Sequence, residues 1–154
     1  MEAMHSVFKN IWLVDDDEDD RIVFEESVKE IFPFTQLISF ANGEELLHLL
    51  ELKIPDVIFL DINMPALDGM SCLKLIREKQ GCAKLPVIMF TISKHKLDVS
   101  ACYGYGATLY FVKPPSQKKL IEQLTMLFRL NWNDPEEITD MHFISNRFVP
   151  FSAE

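Results

Sequence analysis

The residue pattern of this chain predicts an α/β fold, a five-stranded parallel sheet doubly wound with helices on both faces, and two observations carry that reading. Apolar runs of strand length alternate with segments of helical period, the signature of a parallel sheet covered on both sides. One run, Val57 to Leu60 behind Asp56, is apolar without interruption, as a strand must be when both of its faces are buried.

The first strand is read at Asn10–Val14. Beyond an acid run, Ile22, Val23, Ser27, Val28 and Ile31 recur at helical spacing until Pro33 stops them. Gln36–Phe40 is the second strand. Asn42 and Gly43 then form a turn and cap for an amphipathic helix over Glu44–Leu52, closed by Lys53-Ile54-Pro55. The third strand, Asp56–Leu60, is followed by a helix over Met70–Lys79 that Gly81 ends. Pro86–Phe90 is the fourth strand. The helix after it, Lys94–Gly104, has the weakest period and is expected to be the most mobile. Thr108–Val112 is the fifth strand, and Ser116–Leu130 is a helix capped by Ser116 with Leu120, Leu124, Leu127 and Phe128 on one face.

These units make one domain over residues 8–130, with a lead over 1–7 and a tail over 131–154 too short to be a separate output domain. The tail is acidic early and carries Trp132, Phe143, Phe148 and Phe151. Two readings stay open for it: a frayed end, or a segment that packs on this domain or on a partner.

A formal charge of −9, from 15 Lys and Arg against 24 Asp and Glu, argues against nucleic acid as a partner and favours cations or basic partners. The start of the chain is no export segment, and no run approaches the roughly 20 apolar residues of a membrane helix, so a cytoplasmic location away from membranes is expected. Cys72, Cys82 and Cys102 are odd in number and set in apolar stretches, which fits reduced core thiols. The four histidines show no metal-ligand spacing.

Ligand sites of open parallel sheets lie beyond the carboxyl ends of the strands. Asp15 and Asp16 fall just past the first strand, Asp61 past the third, Thr91 past the fourth and Lys113 past the fifth. Each alone has a bland explanation, as a helix cap, a turn residue, a strand end or a solvated lysine. Their coincidence on one edge points to a site. Three carboxylates held together need protons or a cation, and Mg²⁺ suits an all-oxygen donor set. Asp61 is then the candidate nucleophile towards phosphorus, with Lys113 as a second cation and the Thr91 hydroxyl as a donor to the transferred group.

Four stretches of the chain carry a resemblance. They are Leu13-Val14-Asp15-Asp16-Asp17; Asp56 to Pro65 with Asp68-Gly69 following; Leu85 to Thr91; and Tyr110-Phe111-Val112-Lys113-Pro114. In order and placement the chain resembles the response-regulator receiver domains of two-component signalling over roughly residues 8–130, in the variant of small single-domain, chemotaxis-type and phytochrome-associated regulators. The resemblance implies a flavodoxin-like strand order of 2-1-3-4-5, phosphorylation of Asp61, Mg²⁺ held by Asp15, Asp16, Asp61 and the backbone carbonyl of Asn63, and a switch made of Thr91 and Tyr110. It further implies a phosphoryl donor that is a histidine kinase or phosphotransfer protein, a cis Lys113-Pro114 bond, and an inward turn of the aromatic ring that reshapes the face of the fourth helix, fifth strand and fifth helix. Partner binding or homodimerisation through that face is the expected output. Ile92 stands where small residues are common, which bears on access of the phosphodonor. Glu18, Asp19 and Asp20 are assigned to the dipole of the first helix and not to the metal.

A phosphohydrolase of the haloacid dehalogenase type would carry an acid two positions after its nucleophile, where this chain has Asn63. A flavodoxin-like cofactor module would not place an acid run after the first strand, and no phosphate-binding glycine loop is present. A receiver that binds partners without phosphorylation is the remaining alternative, so the chain is expected to be a signalling switch and not an enzyme.

Overall fold

The computed structural model describes residues 8–152, so the lead over 1–7 lies outside the described residues. Five strands, β1 (Asn10–Val14), β2 (Gln36–Phe40), β3 (Val57–Leu60), β4 (Val87–Thr91) and β5 (Leu109–Val112), form a parallel sheet in the order β2-β1-β3-β4-β5. Between them run α1 (Glu18–Ile31), α2 (Gly43–Leu50), α3 (Gly69–Glu78) and α4 (Lys96–Gly104), with α5 (Gln117–Leu127) after β5. Both the class and the strand order agree with the sequence reading, and element ends differ by a few residues.

Alternation along the strands divides the core into two layers. Trp12, Val14, Ile58, Leu60, Val87, Met89 and Tyr110 pack with residues of α2, α3 and α4. Ile11, Leu13, Val57, Phe59, Ile88, Phe90, Leu109 and Phe111 pack with residues of α1 and α5. Every β3 and β4 residue is therefore buried, because each faces a helical layer on one side or the other.

The caps are those the side chains suit. Asp17 accepts the Asp20 N–H at 3.0 Å to open α1, Asn42 accepts the Glu45 N–H at 2.9 Å to open α2, and Ser116 accepts the Lys119 N–H at 3.2 Å to open α5. The first turn of α1 holds Glu18, Asp19 and Asp20, the favourable sign for a helix amino end.

The tail packs on the domain. Trp132 and Ile138 join the α1/α5 layer, and burying two such side chains contributes about 1.5–3 kcal/mol each, which decides against a frayed end. A short helix α6 (Pro135–Met141) and a hairpin of β6 (Phe143–Ile144) with β7 (Arg147–Phe148) follow. The Thr139 hydroxyl donates to the Thr108 carbonyl at 2.7 Å, and the Phe151 N–H donates to the Tyr110 carbonyl at 2.7 Å. The tail thus supplies a hydrogen bond to the open edge of β5.

Every X–Pro bond among the described residues is trans, Lys113–Pro114 included. This corrects the cis bond that the family resemblance implies; the two isomers differ by only about 0.5–1 kcal/mol, so the surrounding chain selects between them.

Candidate functional site

The carboxyl ends of β1, β3, β4 and β5 meet at one edge, and the backbone ladder runs on just far enough to fix the site residues. The Asp15 N–H donates to the Phe40 carbonyl at 3.1 Å, the Asp61 N–H to the Val14 carbonyl at 3.0 Å, and the Lys113 N–H to the Thr91 carbonyl at 2.7 Å. Each chemical side chain is thereby held by main-chain bonds to a neighbouring strand rather than by a loose loop.

Oxygens of Asp15, Asp16 and Asp61 lie within 4.8 Å of one another, with Asp15 and Asp61 buried and Asp16 exposed. Lys113 Nζ reaches into this group, 2.7 Å from Asp15 Oδ2 and 3.2 Å from Asp61 Oδ2. Burial pushes the Asp15 carboxyl above its ordinary range, against the pull of the Lys113 ammonium. Burial also works against the Lys113 charge, but hydrogen bonds to Asp15 and Asp20 outweigh it and raise the lysine. One ammonium among several carboxylates leaves a net negative pocket. An all-oxygen donor set of that sign fits a hard divalent cation such as Mg²⁺. Asn63, itself exposed, sits two residues past Asp61 in the loop between β3 and α3.

The Thr91 hydroxyl is buried and has no hydrogen-bond partner among the described residues. An orphaned buried hydroxyl costs about 1–3 kcal/mol, and this one leaves a strand-end proton without an acceptor at the edge where the carboxylates meet. The Tyr110 ring is fully buried, and its hydroxyl donates to the Ser93 carbonyl at 2.9 Å in the loop that follows Thr91. Burial raises the Tyr110 phenol to about 12.

Three features were not legible in the sequence. Asp20 Oδ2 lies 2.9 Å from Lys113 Nζ, so an acid assigned to the helix dipole also anchors the lysine. Gly69 packs so closely on the loop after β3 that a Cβ would clash with the Asp61 carbonyl oxygen. Tyr103 of α4 accepts the Tyr110 N–H at 3.1 Å and donates its own proton to the Val149 carbonyl at 3.0 Å. Only the proximity of Gly69 to Asp61 in the chain offered a hint of any of these. Ile92 is 71% exposed and does not plug the pocket from within.

Residues 11–125 match the response regulator receiver domain family. The chain belongs to that family. Receiver domains of two-component systems are phosphorylated on aspartate and bind Mg²⁺ in an acidic pocket, and this chain brings Asp15, Asp16 and Asp61 together in an acidic cluster. This receiver is 36% identical over 104 residues to the DNA-binding transcriptional regulator NtrC of Escherichia coli, which covers 68% of this chain and 21% of that protein. It is 33% identical over 121 residues to the probable transcriptional regulator ycf27 of Guillardia theta, covering 79% of this chain and 46% of the relative. The chain thus spans between about a fifth and about half of these curated relatives.

Solved structures show the same fold. The chemotaxis protein CheY4 of Vibrio cholerae superposes with a TM-score of 0.68 at 24% identity, over 77% of this chain and 98% of that one. The phosphorylated cyanobacterial phytochrome response regulator RcpA gives a TM-score of 0.68 at 21% identity over 96% of this chain and all (100%) of its own. The Mn²⁺-bound response regulator Rcp1 gives 0.66 at 24% identity over 93% of this chain and 99% of that one. The RcpA and Rcp1 structures thus cover nearly all of this chain, its tail included. No helix of the described residues is long and apolar enough to cross a membrane.

Proposed function

We propose that this chain is a stand-alone response regulator that takes a phosphoryl group from a histidine kinase or phosphotransfer protein onto Asp61. The observation that carries the proposal is the convergence of Asp15, Asp16, Asp61 and Lys113 beside the unpartnered Thr91 hydroxyl. Asp61 Oδ1 is occupied by the Ile62 N–H at 2.7 Å, so Oδ2, on the Lys113 side, is the oxygen that attacks phosphorus. The phosphorus–nitrogen bond to the donor histidine breaks, and its electron pair leaves with the imidazole.

Asp15, Asp16, Asp61 and the Asn63 carbonyl would hold Mg²⁺. When bound, the ion neutralises charge on the transferred oxygens. Lys113 keeps hold of the phosphoryl group as a second cation, and Thr91 donates its idle proton to it. Tyr110 already lies inward with its hydroxyl on the Ser93 carbonyl, so a shift of Thr91 is transmitted through the 91–93 loop to the face of α4, β5 and the tail. Partner binding or dimerisation through that face is the output, in the cytoplasm.

Intact mass after incubation with acetyl phosphate and Mg²⁺ tests the reading. A metal-dependent gain of one phosphoryl group, lost in Asp61→Asn, is expected. No gain in a protein that binds Mg²⁺ would leave a receiver that acts by partner binding alone.

A further inference from the structure

A groove of about 200 Å³ lies between the start of α4 and the tail hairpin, walled by Val99, Phe148 and Pro150 and rimmed by Lys94, Lys96 and Arg147. Half of this lining comes from residues 147–150, in the tail beyond the 11–125 span that the family match covers. We propose that the groove is a docking site for an acidic protein segment, a single apolar side chain flanked by Asp or Glu.

Three facts select that occupant. The chain carries a net charge of −9, yet three of its cations gather here, and none of their side chains makes an ion pair among the described residues. The neighbouring acid on α4, Asp98, is engaged by the Ser93 hydroxyl at 2.5 Å. The cavity falls below the roughly 300–1,000 Å³ of small-molecule sites, so it suits one side chain of a peptide and not a cofactor. An apolar floor inside a cationic rim favours a peptide over nucleic acid, whose backbone offers charge with no apolar anchor.

The proposal rests on the reading of the α4, β5 and tail face as the output surface, but the groove is formed with Asp61 unmodified, so peptide binding is read separately from phosphoryl transfer. The groove walls are nonetheless tied to the site. Phe148 stacks on Tyr103 at 4.7 Å between centroids, and Tyr103 bonds the Tyr110 backbone.

Fluorescein-labelled synthetic peptides with a Leu or Phe anchor between acidic residues, titrated with the full unphosphorylated chain and read by anisotropy, test the proposal. The acidic peptides should bind at least about tenfold tighter than Asn/Gln counterparts, and weaken with salt. The exposed pair Lys94→Glu with Arg147→Glu should weaken them by about tenfold or more, while Lys29→Glu, an exposed charge outside the groove, binds like the wild type. Equal binding of acidic and amide peptides, or no effect of charge reversal, overturns the proposal. Duplex DNA that competes as well as the unlabelled peptide overturns it in favour of a polyanion site. Concentration-dependent dimerisation abolished by the same charge reversal overturns it in favour of a second copy of this chain.

Discussion

Tyr103 accepts the backbone N–H of Tyr110, and the same hydroxyl donates to the carbonyl of Val149 in the tail. One phenol therefore joins the helix, the edge strand and the tail behind the Asp61 cluster. Tyr103→Phe leaves a buried N–H and a carbonyl without that partner, which should cost about 1–3 kcal/mol in urea unfolding. Amide exchange over residues 143–151 should accelerate at the same time.

The Thr91 hydroxyl makes no hydrogen bond here, and this sets a prediction of unusual sign. Thr91→Val keeps the shape and removes the orphaned group. Stability should hold or rise by about 1 kcal/mol, although the residue is wholly buried. In the same variant, acetyl phosphate should no longer change exchange rates around Tyr110. A clear loss of stability would show that the hydroxyl is satisfied in solution and so is not held in reserve.

Among the described residues, Lys113 is the single ammonium paired with Asp15, Asp20 and Asp61. Lys113→Met leaves these carboxylates facing one another. It should destabilise the metal-free protein by about 3 kcal/mol, and added Mg²⁺ should restore more of its melting temperature than it adds to the wild type. An identical Mg²⁺ response in the two proteins would count against the lysine as the cation that balances the pocket.

Gly69 leaves no room for a side chain against Asp61. Gly69→Ala must displace the Asp61–Ile62 backbone, at a cost of about 1–3 kcal/mol or more. The phosphorylation rate should fall further than stability alone explains, because the Asp61 carboxylate moves with its carbonyl. Stopped-flow acyl-phosphate kinetics at a temperature where the variant is fully folded separates the two effects.

Alkaline stability follows from two buried phenols. Burial raises Tyr110 to about 12 and Tyr103 also upward, so the folded chain keeps protons that the unfolded chain has lost above about pH 10. Stability is intact below pH 10 and falls as pH rises towards the folded values. Urea midpoints between pH 9 and 12 should show this fall, with a smaller slope in Tyr103→Phe.

The five strands, their order of appearance, the helix caps at Asn42 and Ser116, and the arrival of Asp15, Asp16, Asp61, Thr91 and Lys113 at one edge were all readable from the residues alone. They are local facts: alternation, punctuation, and the rule that strand ends in a parallel sheet point the same way. The anchoring of Lys113 by Asp20, the packing of Gly69 on Asp61, and the docking of the tail were decided only in three dimensions. Asp20 and Lys113 are 93 residues apart, and Tyr103 and Val149 are 46 apart. Whether such distant groups meet depends on how the layers pack, which no local pattern encodes. Aromatic tail residues gave a reason to pack but no address. That came from the open edge of β5, whose Tyr110 carbonyl lacked a strand neighbour and took the Phe151 N–H.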